Sequence, residues 1–157
     1  MNQTERVQLL QSISLLQSVQ DQGWLADLAD HLDELEFGAG ATIVPAGEAG
    51  HLLYLLTAGK ATVPIDATTL AELNPGAVFG AMALLDTKPP SAPVTALQPT
   101  HCLALTQAQL YQAIKTNPTI ALNLIHLLAD RVRLLNRLFG ASEDLYSPTL
   151  KTLSHAA

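Results

Sequence analysis

The chain has 157 residues, 48% of them apolar and only 14% charged, against about 25% charged in an ordinary soluble domain. That length suits one domain, and that composition excludes a chain disordered throughout, which needs low hydrophobicity and high net charge. Fourteen acidic residues against eight basic ones leave a net charge of −6, the wrong sign for a nucleic-acid-binding face.

The elements read in chain order as helix, glycine-punctuated strands, then helix. Near the start, Val7, Leu9, Leu10, Ile13, Leu15 and Leu16 recur at helical intervals, and Asn2 with Glu5 has the form of a capping box. A second helix follows from the cap residue Asp21: Trp24, Leu25, Leu28, Leu32 and Leu35 step by three and four, with Asp27, Asp30 and Asp33 off that stripe. From Glu36 the texture changes, with glycines at 38, 40, 47, 50, 59, 76 and 80. Between and beyond them the segments 41–45, 51–57, 60–65, 68–73, 94–98 and 101–105 are strand-length and turn-bounded. Asn74-Pro75-Gly76 suits a type II turn, with proline at i+1 and a residue tolerant of positive φ at i+2. Six or so short strands with tight turns predict a small antiparallel roll. Thr106 and Gln109 then form a second capping box. Asn117-Pro118 starts a long helix that Gly140 stops.

The long helix carries two adjacent apolar stripes. Ile125, Leu128, Val132, Leu135 and Phe139 step 3-4-3-4, and so do Leu124, Leu127, Arg131, Leu134 and Leu138 one residue earlier. One stripe suffices for packing at home. The second predicts a homodimer through Ile125, Leu128, Val132, Leu135 and Phe139, with a helix buried deeply in its own fold as the alternative. The expected organisation is a helical segment over 1–35, a β-roll over 36–106, C-terminal helices of the same domain over 107–140, and a tail over 141–157.

Catalytic and metal chemistry finds little support. His31, His51, His101, His126 and His155 stand at no metal-ligand spacing, and there is no G-x-S-x-G or Walker loop. Cys102 is the single cysteine. It can form no internal disulfide and reads as a small buried residue, on the strand face opposite its neighbour His101. Residues 1–11 do not read as a signal peptide and the longest apolar runs fall far short of a membrane span. No enzyme, cofactor, nucleic-acid or membrane partner is expected, and a cytoplasmic location is the default.

Specific residues now carry a resemblance. Phe79-Gly80-Ala81-Met82-Ala83-Leu84-Leu85, followed by Pro90-Ser91-Ala92-Pro93-Val94, resembles the phosphate-binding cassette of the cyclic nucleotide-binding domain family, whose pattern is F-G-E-x-A-L-L, a gap, then R-[ST]-A-[TS]-V. Gly40, Gly47-Glu48, Gly50, Tyr54 and Gly59 stand where that family's roll glycines and tyrosine stand. The resemblance spans roughly residues 12–139. It implies an α+β, mainly β fold: an antiparallel β-roll or jelly roll flanked by N-terminal helices and a long, often dimerising C-terminal helix. It also implies a ligand pocket at Phe79, Gly80, Ala81, Met82, Ala83, Leu84, Lys88, Pro90, Ser91 and Ala92. In binding members a glutamate takes the ribose hydroxyl and an arginine pairs with the cyclic phosphate.

Both anchors are replaced here, the glutamate by Ala81 and the arginine by Pro90, and Pro93 stands for the usual threonine or serine. Losing one partner of a buried charge pair costs about 2–5 kcal/mol. A hydrogen bond to a charged group is worth about 1.5–3 kcal/mol. A loss of about 4 kcal/mol is already about a thousandfold in affinity. A degenerate regulatory module that does not bind cAMP or cGMP usefully is therefore expected. The alternative is a second-messenger receptor with an altered pocket, in which Ser91 and Lys88 take up part of the phosphate contact or the apolar floor admits a less polar ligand. Many bacterial relatives are transcription regulators with a C-terminal helix-turn-helix, and the 17 residues after Gly140 are too few for that module.

Overall fold

The computed structural model describes residues 1–47, 51–86, 90 and 92–138. In chain order it contains α1 (Gln3–Ser12), α2 (Gln22–His31), β1 (Asp33–Phe37), β2 (Thr42–Val44), β3 (Leu52–Ala58), β4 (Ala61–Pro64), β5 (Leu70–Leu73), β6 (Val78–Phe79), α3 (Ala81–Asp86), β7 (Val94–Ala96), β8 (Thr100–Thr106), α4 (Gln107–Thr116) and α5 (Thr119–Leu138).

Local chemistry explains most of these boundaries. Asn2 caps α1 and Thr106 caps α4, each closing a reciprocal capping box with the residue three places on, Glu5 and Gln109. The Asp21 carboxylate accepts from the Trp24 N–H at 3.1 Å and opens α2. In the Asn74–Ala77 turn the Ala77 N–H donates to the Asn74 carbonyl at 2.9 Å, and Gly76 has φ +96°, as a type II turn requires. Asn117 caps the end of α4, and α5 begins just past Pro118.

The strands form two four-stranded antiparallel sheets. One has the order β1-β8-β3-β6 and the other β2-β7-β4-β5. The core between them holds Ile43, Val44, Leu56, Ala61, Phe79, Val94, Ala96 and Cys102. Side chains alternate along a strand, so Leu53, Leu55, Leu103 and Leu105 face away from that core. They are nonetheless almost fully buried. The first sheet is thus covered on both faces, and Leu10, Leu25 and Leu110 of the flanking helices are buried as completely. No helix among the described residues is long and apolar enough to cross a membrane.

Several expectations need correction. The first helix ends at Ser12, and Ile13 is its extended C-cap. Ile13, Leu16 and Val19 then donate back three residues in tight turns. Leu15 and Leu16 are therefore core residues without being helical. Leu35 does not continue the α2 stripe: α2 stops at His31 and Leu35 lies on β1, paired with Cys102. The strand signal was the Glu34-Leu35-Glu36-Phe37 alternation. β6 is a further strand the sequence reading passed over, so the described residues contain eight strands. Met1–Ile120 form one compact unit, and the described part of α5 from Ala121 onward belongs to a second. The expected tail over 141–157 and the stop at Gly140 lie outside the described residues.

The turn after β3 is the tightest point of the frame. Gly59 has φ +94°, and a Cβ there would run into the Pro99 carbonyl oxygen and stand 2.7 Å from Thr100 Cα. Gly38 has nothing within 4 Å of the corresponding position. In urea titrations Gly59→Ala should lose about 2 kcal/mol or more, from backbone strain and overpacking together. Gly38→Ala should stay within about 0.5 kcal/mol of the parent. Equal losses at the two glycines would refute the close approach.

Candidate ligand site: the β6–α3 cassette

The candidate site begins where β6 ends. Phe79 is 3% exposed and pairs directly across the sheet with Tyr54. The two rings stack with centroids 5.0 Å apart and an interplanar angle of 7°, a contact of about 0.5–1.5 kcal/mol beyond area burial. Burial raises the Tyr54 hydroxyl pKa above its ordinary value. The chain turns out of β6 at Gly80, whose φ is +88° and whose missing Cβ would lie 2.7 Å from the Leu52 carbonyl oxygen. Only glycine satisfies both the dihedral and the approach.

Gly80 leads into α3, whose Leu84 N–H donates to the Gly80 carbonyl at 3.2 Å. Ala81, Ala83 and Leu84 of this short helix are buried, while Met82 is 63% exposed. Met82 therefore departs from the expected apolar floor and projects to the surface. The far end of α3 is held by Gln107, whose Nε2 donates to the Leu84 carbonyl at 2.7 Å. Nothing in the sequence reading singled out Gln107. Further on, Pro90 and Ala92 are half-buried, and the Pro90 carbonyl accepts the Gly47 N–H at 3.0 Å. That bond joins the second arm of the cassette to the turn after β2. Lys88 and Ser91, and Glu48 and Gly50 upstream, lie outside the described residues.

The structure thus brings Phe79 to Leu84 together on one strand-to-helix turn, and not one of those six residues carries a charged side chain or a side-chain hydrogen-bond donor. At Ala81 a methyl group stands in the first position of α3, and at Pro90 the ring has neither a backbone N–H nor a side-chain donor. No group of three or more His, Cys, Asp or Glu able to hold a metal occurs among the described residues. Cys102 is buried in the core and its thiol is pushed up to about 11 by that burial, the behaviour of a packing residue rather than a nucleophile.

On α5, the expected interface residues Ile125, Val132 and Leu135 are 58%, 52% and 42% exposed, a row of apolar side chains open to solvent. Leu128 is half-buried, and Phe139 lies outside the described residues. Of the neighbouring stripe, Leu124 is buried and Leu127 and Arg131 are half-buried, while Leu134 and Leu138 are exposed.

Comparison with known proteins agrees with this geometry. The profile of the cyclic nucleotide-binding domain family matches residues 34–117, more than half of the chain. The cAMP-dependent protein kinase regulatory subunit of Dictyostelium discoideum is 35% identical over 106 residues, covering 62% of this chain and 32% of that protein. The cyclic AMP receptor protein of Thermus thermophilus is 38% identical over 99 residues, covering 60% of this chain and 46% of that protein. The match thus spans about a third of one relative's length and just under half of the other's. The crystal structure of the Thermus thermophilus catabolite activator protein superposes with a TM-score of 0.70 at 29% identity, over 81% of this chain and 62% of that one.

The contrast within α3 is directly testable. Leu84→Ala should cost about 2–5 kcal/mol, the range for emptying a packed leucine site. Met82→Gln, two residues away, should stay within about 0.5 kcal/mol. Comparable losses in chemical denaturation would place Met82 in the packed floor after all.

Proposed function

Because the chain belongs to the cyclic nucleotide-binding domain family, we propose that it is a non-enzymatic regulatory module that has kept the family frame and lost useful affinity for cAMP and cGMP. The pair Ala81 and Pro90 carries this reading. The resemblance assigns those two positions to the glutamate that holds the ribose and the arginine that holds the phosphate. A methyl group and a pyrrolidine ring supply neither contact. The Pro90 carbonyl is engaged by the Gly47 N–H, and as an acceptor it offers a cyclic phosphate nothing in any case. The frame around these positions is intact: Gly80 makes its turn, Phe79 stacks on Tyr54, and Gly59 makes the positive-φ turn between β3 and β4.

Calorimetric titration with cAMP and with cGMP tests the reading. The expected result is no saturable heat at high micromolar ligand and an unchanged melting temperature, since a ligand that binds only the folded state must raise it. Pro90→Arg, alone and with Ala81→Glu, should then raise cAMP affinity at least tenfold. The single variant keeps the test open if a glutamate at the fully buried Ala81 site prevents folding. Saturable, one-per-chain micromolar binding by the unmodified protein would overturn the reading. It would favour a second-messenger receptor with an altered pocket, with Lys88 and Ser91 as the next residues to change.

The same module is a dimer in this proposal, with a second copy meeting α5 along Ile125, Leu128, Val132 and Leu135. A 20-residue helix is about 30 Å long, enough for several layers of knobs-into-holes packing. The exposed isoleucine, valine and leucine at positions 125, 132 and 135, with half-buried Leu128 between them, cover about half of that length at the spacing such packing needs. Light scattering should give a dimeric mass for the parent. Val132→Glu with Leu135→Glu should give a monomeric one, with the circular dichroism spectrum unchanged because both sites are open to solvent. An unchanged mass in the double variant would refute this interface.

A further inference from the structure

The apolar stripe of α2 is only partly covered. Leu25 is fully buried, but Trp24 and Leu28 of the same stripe are half-buried. These two residues lie on one wall of a groove of about 440 Å³, and α4 forms the other wall. Both helices belong to the Met1–Ile120 unit. On the α4 side the floor is made by the small side chains of Ala108 and Ala113, which leave the groove its depth. Gln109 fixes the spacing of the walls at one end. Its Nε2 donates to the His31 carbonyl at the end of α2 at 2.9 Å, while its Oε1 accepts the Thr106 N–H at 2.8 Å. The lining runs from Trp24 to His31 on one wall and from Ala108 to Thr116 on the other, roughly two helical turns.

One wall of this groove is acidic. Between Arg6 and Lys60 the sequence has no lysine or arginine, while six carboxylates fall between Asp21 and Glu36. Two of them are engaged locally, Asp21 as the α2 cap and Glu34 on Arg6. Asp27 lines the groove itself with a side chain 80% exposed. Asp30, three residues on, is exposed as well. It accepts from Gln3 Nε2 at 2.8 Å, a neutral partner that leaves the charge in place. His31 stands beside them, its Nδ1 donating to the Asp27 carbonyl at 2.7 Å. The α4 wall adds glutamine, alanine and threonine and no charge.

We propose that the groove between α2 and α4 docks a basic amphipathic helix of a protein partner, whose apolar stripe covers Trp24 and Leu28 and whose lysines or arginines meet Asp27 and Asp30. An apolar groove with carboxylates along one wall is complementary to that class of helix. The same carboxylates repel an acidic partner or a nucleic acid. A half-open indole beside a leucine is the type of anchor that carries most of the energy at an interface, and apolar patches rimmed by polar groups mark such surfaces. The docking depends neither on what the cassette binds nor on pairing through α5.

Trp24 is the only tryptophan in the chain, so its emission reports on this groove alone. The probe is a synthetic helix of about 14 residues, built from leucine on one face and lysine on the other. The control is the same peptide with glutamate in place of lysine. The basic peptide should move Trp24 emission to shorter wavelength, saturably and at one peptide per chain. The acidic peptide should bind at least about tenfold more weakly. Anisotropy of a dye-labelled peptide measures the affinity independently of the indole. Asp27→Lys should weaken the basic peptide about fivefold or more. Glu72→Lys, the same change of charge on β5 of the other sheet, should weaken it less than about twofold. Both sites are exposed, so circular dichroism should be unchanged. Absence of the shift, equal binding of the two peptides, or equal weakening by the two variants overturns the proposal, the last because it shows only general attraction to an acidic chain. A shift of Trp24 emission in the protein alone as its concentration rises assigns the groove to a second copy and overturns the proposal as well.

Discussion

The pairing of β3 with β8 is the interaction on which the rest of the molecule depends. These are the two longest strands, and the register runs from Leu52 opposite Thr106 to Leu56 opposite Cys102. A one-residue slip would exchange the two faces of each strand. Here that exchange would leave Thr57 and His101 where Leu56 and Cys102 now fill the core. Both faces of the pair are buried, so the register is specified from two sides at once. β1 adds to one side of this pair through β8, and β6 adds to the other through β3. The bulge between Leu56 and Ala58 lets the last turn of β3 re-aim Thr57 at His101. The cassette hangs from the same pair, because Tyr54 is in register with Phe79 and its ring is the surface on which Phe79 stacks.

This arrangement separates what holds the fold from what holds a ligand. The residues that place the β6–α3 turn are constrained by backbone geometry and burial: Gly80 by φ and the approach of Leu52, Ala83 and Leu84 by packing, and Phe79 by its stack on Tyr54. None of these constraints refers to a cyclic nucleotide. A glutamate or arginine at the positions of Ala81 and Pro90 would add little to the frame, and burying a charge without a partner would weaken it. On the proposed reading the family frame persists with Ala81 and Pro90 at the two anchor positions, and sequence similarity over 34–117 is informative about the frame before it is informative about affinity.

How much of this is legible in the sequence follows from the range of each signal. The capping residues Asn2, Asp21 and Thr106 and the turn at Asn74–Ala77 are local, and each stands where its pattern places it. The cassette was readable as a spacing of glycine and apolar residues. β1 was misread because Leu35 fits both a helical step from Leu32 and a strand alternation with Phe37. The choice between them is made by pairing with β8, almost 70 residues away in the chain. β6 has only two residues, too few for any period to show. Met82 reads as apolar floor from composition alone, and only the orientation of α3 sends it outward.

The polar contacts from Arg6 to Glu34, from Glu34 to His101 and from His101 to Thr57 depend on the same long-range register. Arg6 bonds the last carbonyls of α2 and the carboxylate of β1 at once. A guanidinium suits this because its donors fork in fixed directions and its charge does not titrate. Arg6, acting on Glu34, thereby anchors the N-terminal helices to the sheet. Glu34 lies on the strand whose neighbour β8 pairs in turn with β3. Since β3 also carries Tyr54, the partner of Phe79, the strand that follows the N-terminal helices and the strand that opens the cassette are joined through three successive strand pairs, β1–β8, β8–β3 and β3–β6.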